Sequence, residues 1–247
     1  RSPLVLMLWQ EDILAVGPGY LEHIARYAAE RSTAPVALMV DHASSLAFCL
    51  QCMLNGHTGL MIDASHGSLE ENISLTRQVC DVAHLADVLV EGELGTVRRT
   101  FESTGPYAEE TVMTDPEEAP RFVAESGVDA LAVSIGTESG IPSEAPKLDI
   151  ARLERIAEVT DAYLVLHGGS GTSEAQIREL VRAGMTAMRF ASALRVAFLD
   201  TVERERAALG RSYPDTRRIY GPAREAVRSL TAGLMRALGC AGQADGW

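Results

Sequence analysis

The chain predicts an α/β fold, a parallel (β/α)8 or TIM barrel built as one domain over residues 1–247. Three observations carry this. Short, β-branched and nearly continuous apolar runs alternate with segments of helical periodicity, the pattern of parallel strands covered by helices. Polar, titratable residues recur at nearly every strand's C-terminal end: Asp41 and His42, Asp63 and Ser65, Glu91 and Glu93, Ser134, His167, and Arg189 with Ser192. An open doubly wound sheet gathers only the ends at its switch point, whereas a barrel gathers all of them into one ring, so the distribution favours the barrel.

The elements follow in order. Strands are expected at 4–9, 36–41, 59–63, 88–94, 130–135, 164–167 and 187–191. Only about seven are visible, and Arg1 begins almost inside the first, so the first βα unit of the barrel is expected to be missing from this chain. Helices are expected in "PGYLEHIARYAAERS", "LEENISLTRQVCDVAHLA", "DPEEAPRFVAESG" and "DIARLERIAEVT", several of which open on Asp or Pro and stop at Gly. "AFCLQCML" reads as the interior of another amphipathic helix. Its CxxC spacing has no second pair to complete a zinc site, so Cys49 and Cys52, like Cys80, are expected to be buried structural thiols. Two long irregular stretches, 95–114 and 136–149, follow strands with polar ends and should border one mouth. The first, with Arg98 and Arg99, is expected to close over the site as a lid. A C-terminal segment, about 211–240, reads as a helical closing or oligomerisation element.

Composition narrows the function. A net charge of −12 does not favour the clustered Lys and Arg that a phosphate backbone requires, so no nucleic-acid partner is expected. No apolar run reaches the roughly 18 residues of a membrane span, and "RSPLVLMLW" lacks a signal peptide's layout. No membrane partner is expected, and the expected location is cytoplasmic. His42 and His167, each ending an apolar strand, stand where a barrel places a metal or acid/base centre. His23, His57, His66 and His84 lack such a setting and are expected on helix surfaces, in turns or in the core.

Several strings carry a resemblance: "VALMVDHASS", "MIDASHGSLEENISLT", "VEGELGTV", "TDPEEAPRFVAESGVDALAVSIGT", "PKLDIARLERIAEVTDAYLVLHGGSG" and "IRELVRAGM". In order and spacing, from about Pro3 to Phe198, they resemble the class II, zinc-dependent fructose/tagatose-bisphosphate aldolase family, of which this chain would be a divergent member. The resemblance implies a metal-dependent barrel, an aldehyde-lyase that cleaves or forms a carbon–carbon bond through a metal-stabilised enediolate. It implies Asp41 as the catalytic acid/base, and His42 and His167 as ligands of zinc or another divalent metal. Glu93 and Asp63 resemble acidic residues at an alternative metal position, and Ser65 would lie near the substrate. Gly168, Gly169 and Ser170 would offer N–H groups and a hydroxyl to a phosphate, with Gly140 and Ser192 also on the substrate side. A homodimer or homotetramer is implied.

The departures from the family pattern bear on substrate and metal. "GTESG" puts Ser139 where the family has its third zinc-binding histidine, leaving Glu93 or Glu138 to complete the set. Ser143 replaces a lysine near the phosphate, "RFAS" (Arg189 to Ser192) replaces "NVNT" or "NIDT", and Arg98 with Arg99 replaces a glycine pair. Arg189 at a strand end can grip a carboxylate or phosphate with its fork of donors. Two readings follow. One is an aldolase-type metal lyase acting on a ketose phosphate or related phosphorylated or carboxylated sugar-like substrate other than standard fructose 1,6-bisphosphate. The other is a metal-free or inactive barrel that binds a sugar phosphate or carboxylate in a regulatory or specialised biosynthetic role.

Overall fold

The structure is a computed structural model that describes residues 1–97, 111–209 and 215–245. Seven strands form one parallel sheet in chain order: β1 (Leu4–Trp9), β2 (Val36–Ala43), β3 (Gly59–Ile62), β4 (Leu89–Leu94), β5 (Ala130–Val133), β6 (Tyr163–Leu166) and β7 (Met185–Met188). Parallel neighbours need crossover connections, and helices supply them. These are α1 (Gln10–Val16), α2 (Tyr20–Glu30), α3 (Leu46–Leu54), α4 (Leu69–Ala83), α5 (Ala119–Ser126), α6 (Ile150–Val159) and α7 (Glu174–Arg182), followed by α8 (Ser192–Leu209) and α9 (Arg217–Ala237).

Local chemistry explains the helix starts. Ser68 and Ser173 accept the N3 backbone N–H while Glu71 and Gln176 reach back, two reciprocal capping boxes. Ser45 and Asp149 cap α3 and α6 in the simpler way. The inner strands β3, β4 and β5 carry fully buried Leu60, Ile62, Val90, Leu131 and Val133, over which the helices lay Phe122, Ile156 and Leu180. Gly92 lets this core close, since a Cβ there would stand 2.9 Å from the Phe122 ring. Cys49, Cys52 and Cys80 are buried free thiols that burial pushes up to about 12, as inert packing groups require.

The sheet is curled. Neighbouring strands lie about 4.8 Å apart, so β2 and β7 would be separated by about 24 Å if the sheet were flat. Instead the Arg189 guanidinium just after β7 pairs with Asp41 on β2, and the His42 and His167 ring centroids are 5.1 Å apart. The strand ends therefore converge on one mouth.

Among the described residues there are seven parallel strands with β1 and β7 as edges, a curled sheet in keeping with the seven strands expected of a barrel that lacks its first βα unit. One expected boundary needs correction. The last strand runs over 185–188 instead of 187–191, because the Arg189 carbonyl leaves the ladder to accept the Gly169 N–H at 3.0 Å. The tail helix is α9, packed on α8 with the Phe198 and Tyr220 rings stacked at 6.0 Å. Among the described residues, no helix is long and apolar enough to cross a membrane.

Candidate metal and acid/base centre

Successive residues of a strand point to opposite faces, so a regular β2 could not aim both Asp41 and His42 at the mouth. The register of β2 against β3 slips between Val40 and Ala43, and His42 adopts φ 51, a left-handed conformation uncommon outside glycine. This local irregularity brings both side chains to the same cavity.

Each histidine is oriented from behind by a carboxylate. His42 Nδ1 donates to Asp63 Oδ2 at 2.8 Å. Burial would raise the Asp63 pKa, but the bonds from His42 and Ser65 outweigh it and hold the carboxyl well below the usual range. With Nδ1 so occupied, Nε2 is the ring nitrogen turned to the site. His167 Nε2 donates to Glu91 Oε1 at 2.9 Å. Burial, with the nearby Arg189 charge, lowers the His167 pKa to about 4 against the pull of Glu91, so the ring is neutral at pH 7. Its Nδ1 then lies 3.4 Å from Glu93 Oε2, a nitrogen lone pair facing a carboxyl oxygen.

A cation bound between them would resolve that arrangement. One ligand atom each from His42, Glu93 and His167 lies within 4.8 Å of the others, and the carboxylate–histidine pairs behind them are the outer shell that metal-binding histidines ordinarily have. Glu138, also considered a ligand, is not in this group; its backbone carbonyl packs against Gly168 instead. Ser139 lines the cavity with a neutral hydroxyl.

Arg189 is largely buried among carboxylates. It pairs with Asp41, lies 2.6 Å from Glu91 Oε1 and 3.0 Å from Met61 Sδ. Burial would raise the Glu91 pKa, yet the guanidinium beside it lowers it. The mouth is a cleft lined by Asp41, His42, Gly140, His167, Gly168, Ser170, Arg189 and Ser192 among others. Gly169 is not part of this lining, because its N–H is committed to the Arg189 carbonyl. Ser170 Oγ accepts the Ala191 and Ala193 N–H groups, which leaves its proton to donate. Asp63 lines a smaller adjoining cavity, and Ser65 serves it by donating to Asp63 Oδ1 at 2.7 Å.

Sequence reasoning assigned Glu91 no role in the site. The signal was there: residues 91 and 93 share one face of β4, so if Glu93 reaches the site Glu91 does too. Trp9 and Arg195 were also missed; Arg195 stacks over the Trp9 ring at 5.8 Å on the wall of the cleft and pairs with Asp12. Of the other histidines, His23 is exposed on α2, His57 is buried with Nδ1 on the Cys52 carbonyl, and His84 pairs with Asp129. His66 stands at the edge, 3.9 Å from Asp63. The base of the 95–114 segment is pinned by an antiparallel bridge between Thr96 and Val112, while Arg98 and Arg99 lie outside the described residues.

Comparison with known proteins agrees with this geometry. The family model for class II fructose-bisphosphate aldolase matches residues 1–243. The D-tagatose-1,6-bisphosphate aldolase subunit GatY of Klebsiella oxytoca is 34% identical over 246 residues, covering 98% of this chain and 85% of that protein. A fructose-bisphosphate aldolase of Geobacillus stearothermophilus is 37% identical over 212 residues, 86% of this chain and 73% of its own. The crystal structure of the YdjI aldolase from Escherichia coli K12 superposes with a TM-score of 0.82 at 26% identity, covering 98% of this chain and 84% of that one. This chain belongs to the class II fructose-bisphosphate aldolase family.

Proposed function

We propose that the chain is a divalent-metal carbon–carbon lyase of the aldolase type, acting on a ketose phosphate or related substrate other than standard fructose 1,6-bisphosphate. The observation that carries it is the convergence of His42, Glu93 and His167, with the far nitrogens of both rings held by Asp63 and Glu91. Two histidines, one carboxylate and an open position make a donor set that suits catalytic zinc. Bound there, the ion supplies Lewis-acid charge beside a substrate carbonyl. Asp41 Oδ1 lies 3.7 Å from His42 Nε2, close enough to the centre to carry the proton of an adjacent hydroxyl or aldehyde oxygen. Gly140, Gly168, Ser170 and Ser192 line the cleft in which the substrate's polar end would sit.

The departures support a changed substrate. Arg189 stands in the segment where the family contacts its ketose, and Ser143 stands where it has a lysine. Family resemblance also supports a (β/α)8 frame and a cytoplasmic homodimer or homotetramer. A second reading, a metal-free barrel, draws support from Arg189, which already sets a fixed cation between Asp41 and Glu91. Elemental analysis of protein purified without chelator separates the two. The lyase reading expects about one ion per chain, lost in His42→Ala and His167→Ala; no metal in the wild type would leave only the second reading.

A further inference from the structure

We propose that Arg189 is a positioning residue that holds Asp41 off the metal and so keeps open the coordination position a substrate carbonyl needs. This rests on the metal reading above. Ser139 gives the centre a neutral hydroxyl where the family pattern has a third histidine, so the protein's own set ends at two histidines and Glu93. A carboxylate is a good zinc ligand, and Asp41 Oδ1 is already 3.7 Å from His42 Nε2, the nitrogen turned toward the ion. A small rotation would make Asp41 a ligand. It would then occupy the substrate's position and cease to carry protons.

Arg189 opposes that rotation. One guanidinium nitrogen engages the same Asp41 Oδ1 and lies against Met61 on β3, and the other is tied to Glu91 on β4. Three strands therefore fix it, and it cannot follow Asp41 without uncovering Glu91. Moving Arg189 away is costly, because it strands the buried Glu91 carboxylate away from water. Glu91 in turn holds His167, so one cation steadies both the proton carrier and the back of a ligand.

The test is made on apoprotein loaded with Mn²⁺, read by water-proton relaxivity, and with Co²⁺, read by its visible bands. Wild type should bind Mn²⁺ with exchangeable water on the ion. Arg189→Gln should bind it at least as tightly while losing about one bound water, with a matching change in the Co²⁺ bands. Adding Asp41→Asn in that background should restore the water. Arg189→Lys keeps the buried charge, and with it the fold should Arg189→Gln fail, but a point charge cannot span Asp41 and Glu91, so it should show the same loss. Unchanged relaxivity and Co²⁺ bands in the folded variant overturn the inference, as does a double variant that does not regain its water. Absence of Mn²⁺ binding by wild type overturns the metal reading with it, a failure distinguishable because the others leave wild-type binding intact.

Discussion

Glu91 and His167 meet at 2.9 Å across the curled sheet, although 76 residues separate them in the chain. The bond fixes which ring nitrogen carries the proton, and thereby which one faces Glu93. The pairing of His42 with Asp63 does the same from the opposite wall. The orientation of both rings thus depends on carboxylates that would not themselves touch an ion bound between them.

Loss of a supporting carboxylate should therefore weaken binding without removing a ligand. Asp63→Asn is expected to lower zinc affinity about 10–100-fold. Competition against a chromophoric chelator measures it, and an affinity equal to wild type would deny Asp63 any part in orienting His42.

Zinc should also stabilise the fold, because the three proposed ligands come from β2, β4 and the turn after β6 and meet only in the folded chain. At free zinc 100-fold above Kd the gain is about 2.7 kcal/mol. Thermal unfolding with and without zinc should show a rise in Tm for wild type and none for His42→Ala.

Acid should destabilise the metal-free protein. His167 titrates near about 4 when folded and near 6.5 when exposed, so between those values the unfolded chain holds a proton that the folded chain lacks. Stability then falls as pH drops from about 6.5 toward 4, by on the order of 3 kcal/mol from this group alone. Glu91 adds loss of the same sign at lower pH, since its lowered folded pKa gives stability that is present above the unfolded value of 4.5 and lost below it. Urea unfolding of chelator-treated protein at several pH values should show this slope, reduced in His167→Gln. A flat profile above pH 4 would contradict a neutral, buried His167.

Gly168 should tolerate no side chain. Its φ is 68, and a Cβ would stand 2.6 Å from the Glu138 carbonyl, so Gly168→Ala must push the 136–149 segment away from the mouth. A cost of about 1–3 kcal/mol with weakened metal binding is expected. Gly239→Ala, at φ 77 with no atom within 4 Å, should show only the backbone cost of about 1–2 kcal/mol and bind metal normally. Equal metal affinity in both variants would dissociate this turn from the site.

The alternation of strands and helices was legible because hydrophobic periodicity and caps such as Ser68 with Glu71 are local properties, written within a few residues. The gathering of Asp41, His42, Glu93 and His167 at one mouth was legible for a related reason: polar groups that close apolar strands must lie at one end of a parallel sheet. Pairing among those groups was decided elsewhere. Arg189 meets Asp41 over 148 residues, Glu91 backs His167 and Glu138 stays out of the cluster, all because the curl of the sheet fixes distances that no spacing along the chain contains. The slip in β2 that turns His42 beside Asp41 is likewise tertiary, set by the register against β3. Sequence alone thus determined which chemistry stands at the strand ends, and only the folded sheet decided which charges neutralise one another and which groups converge on one point.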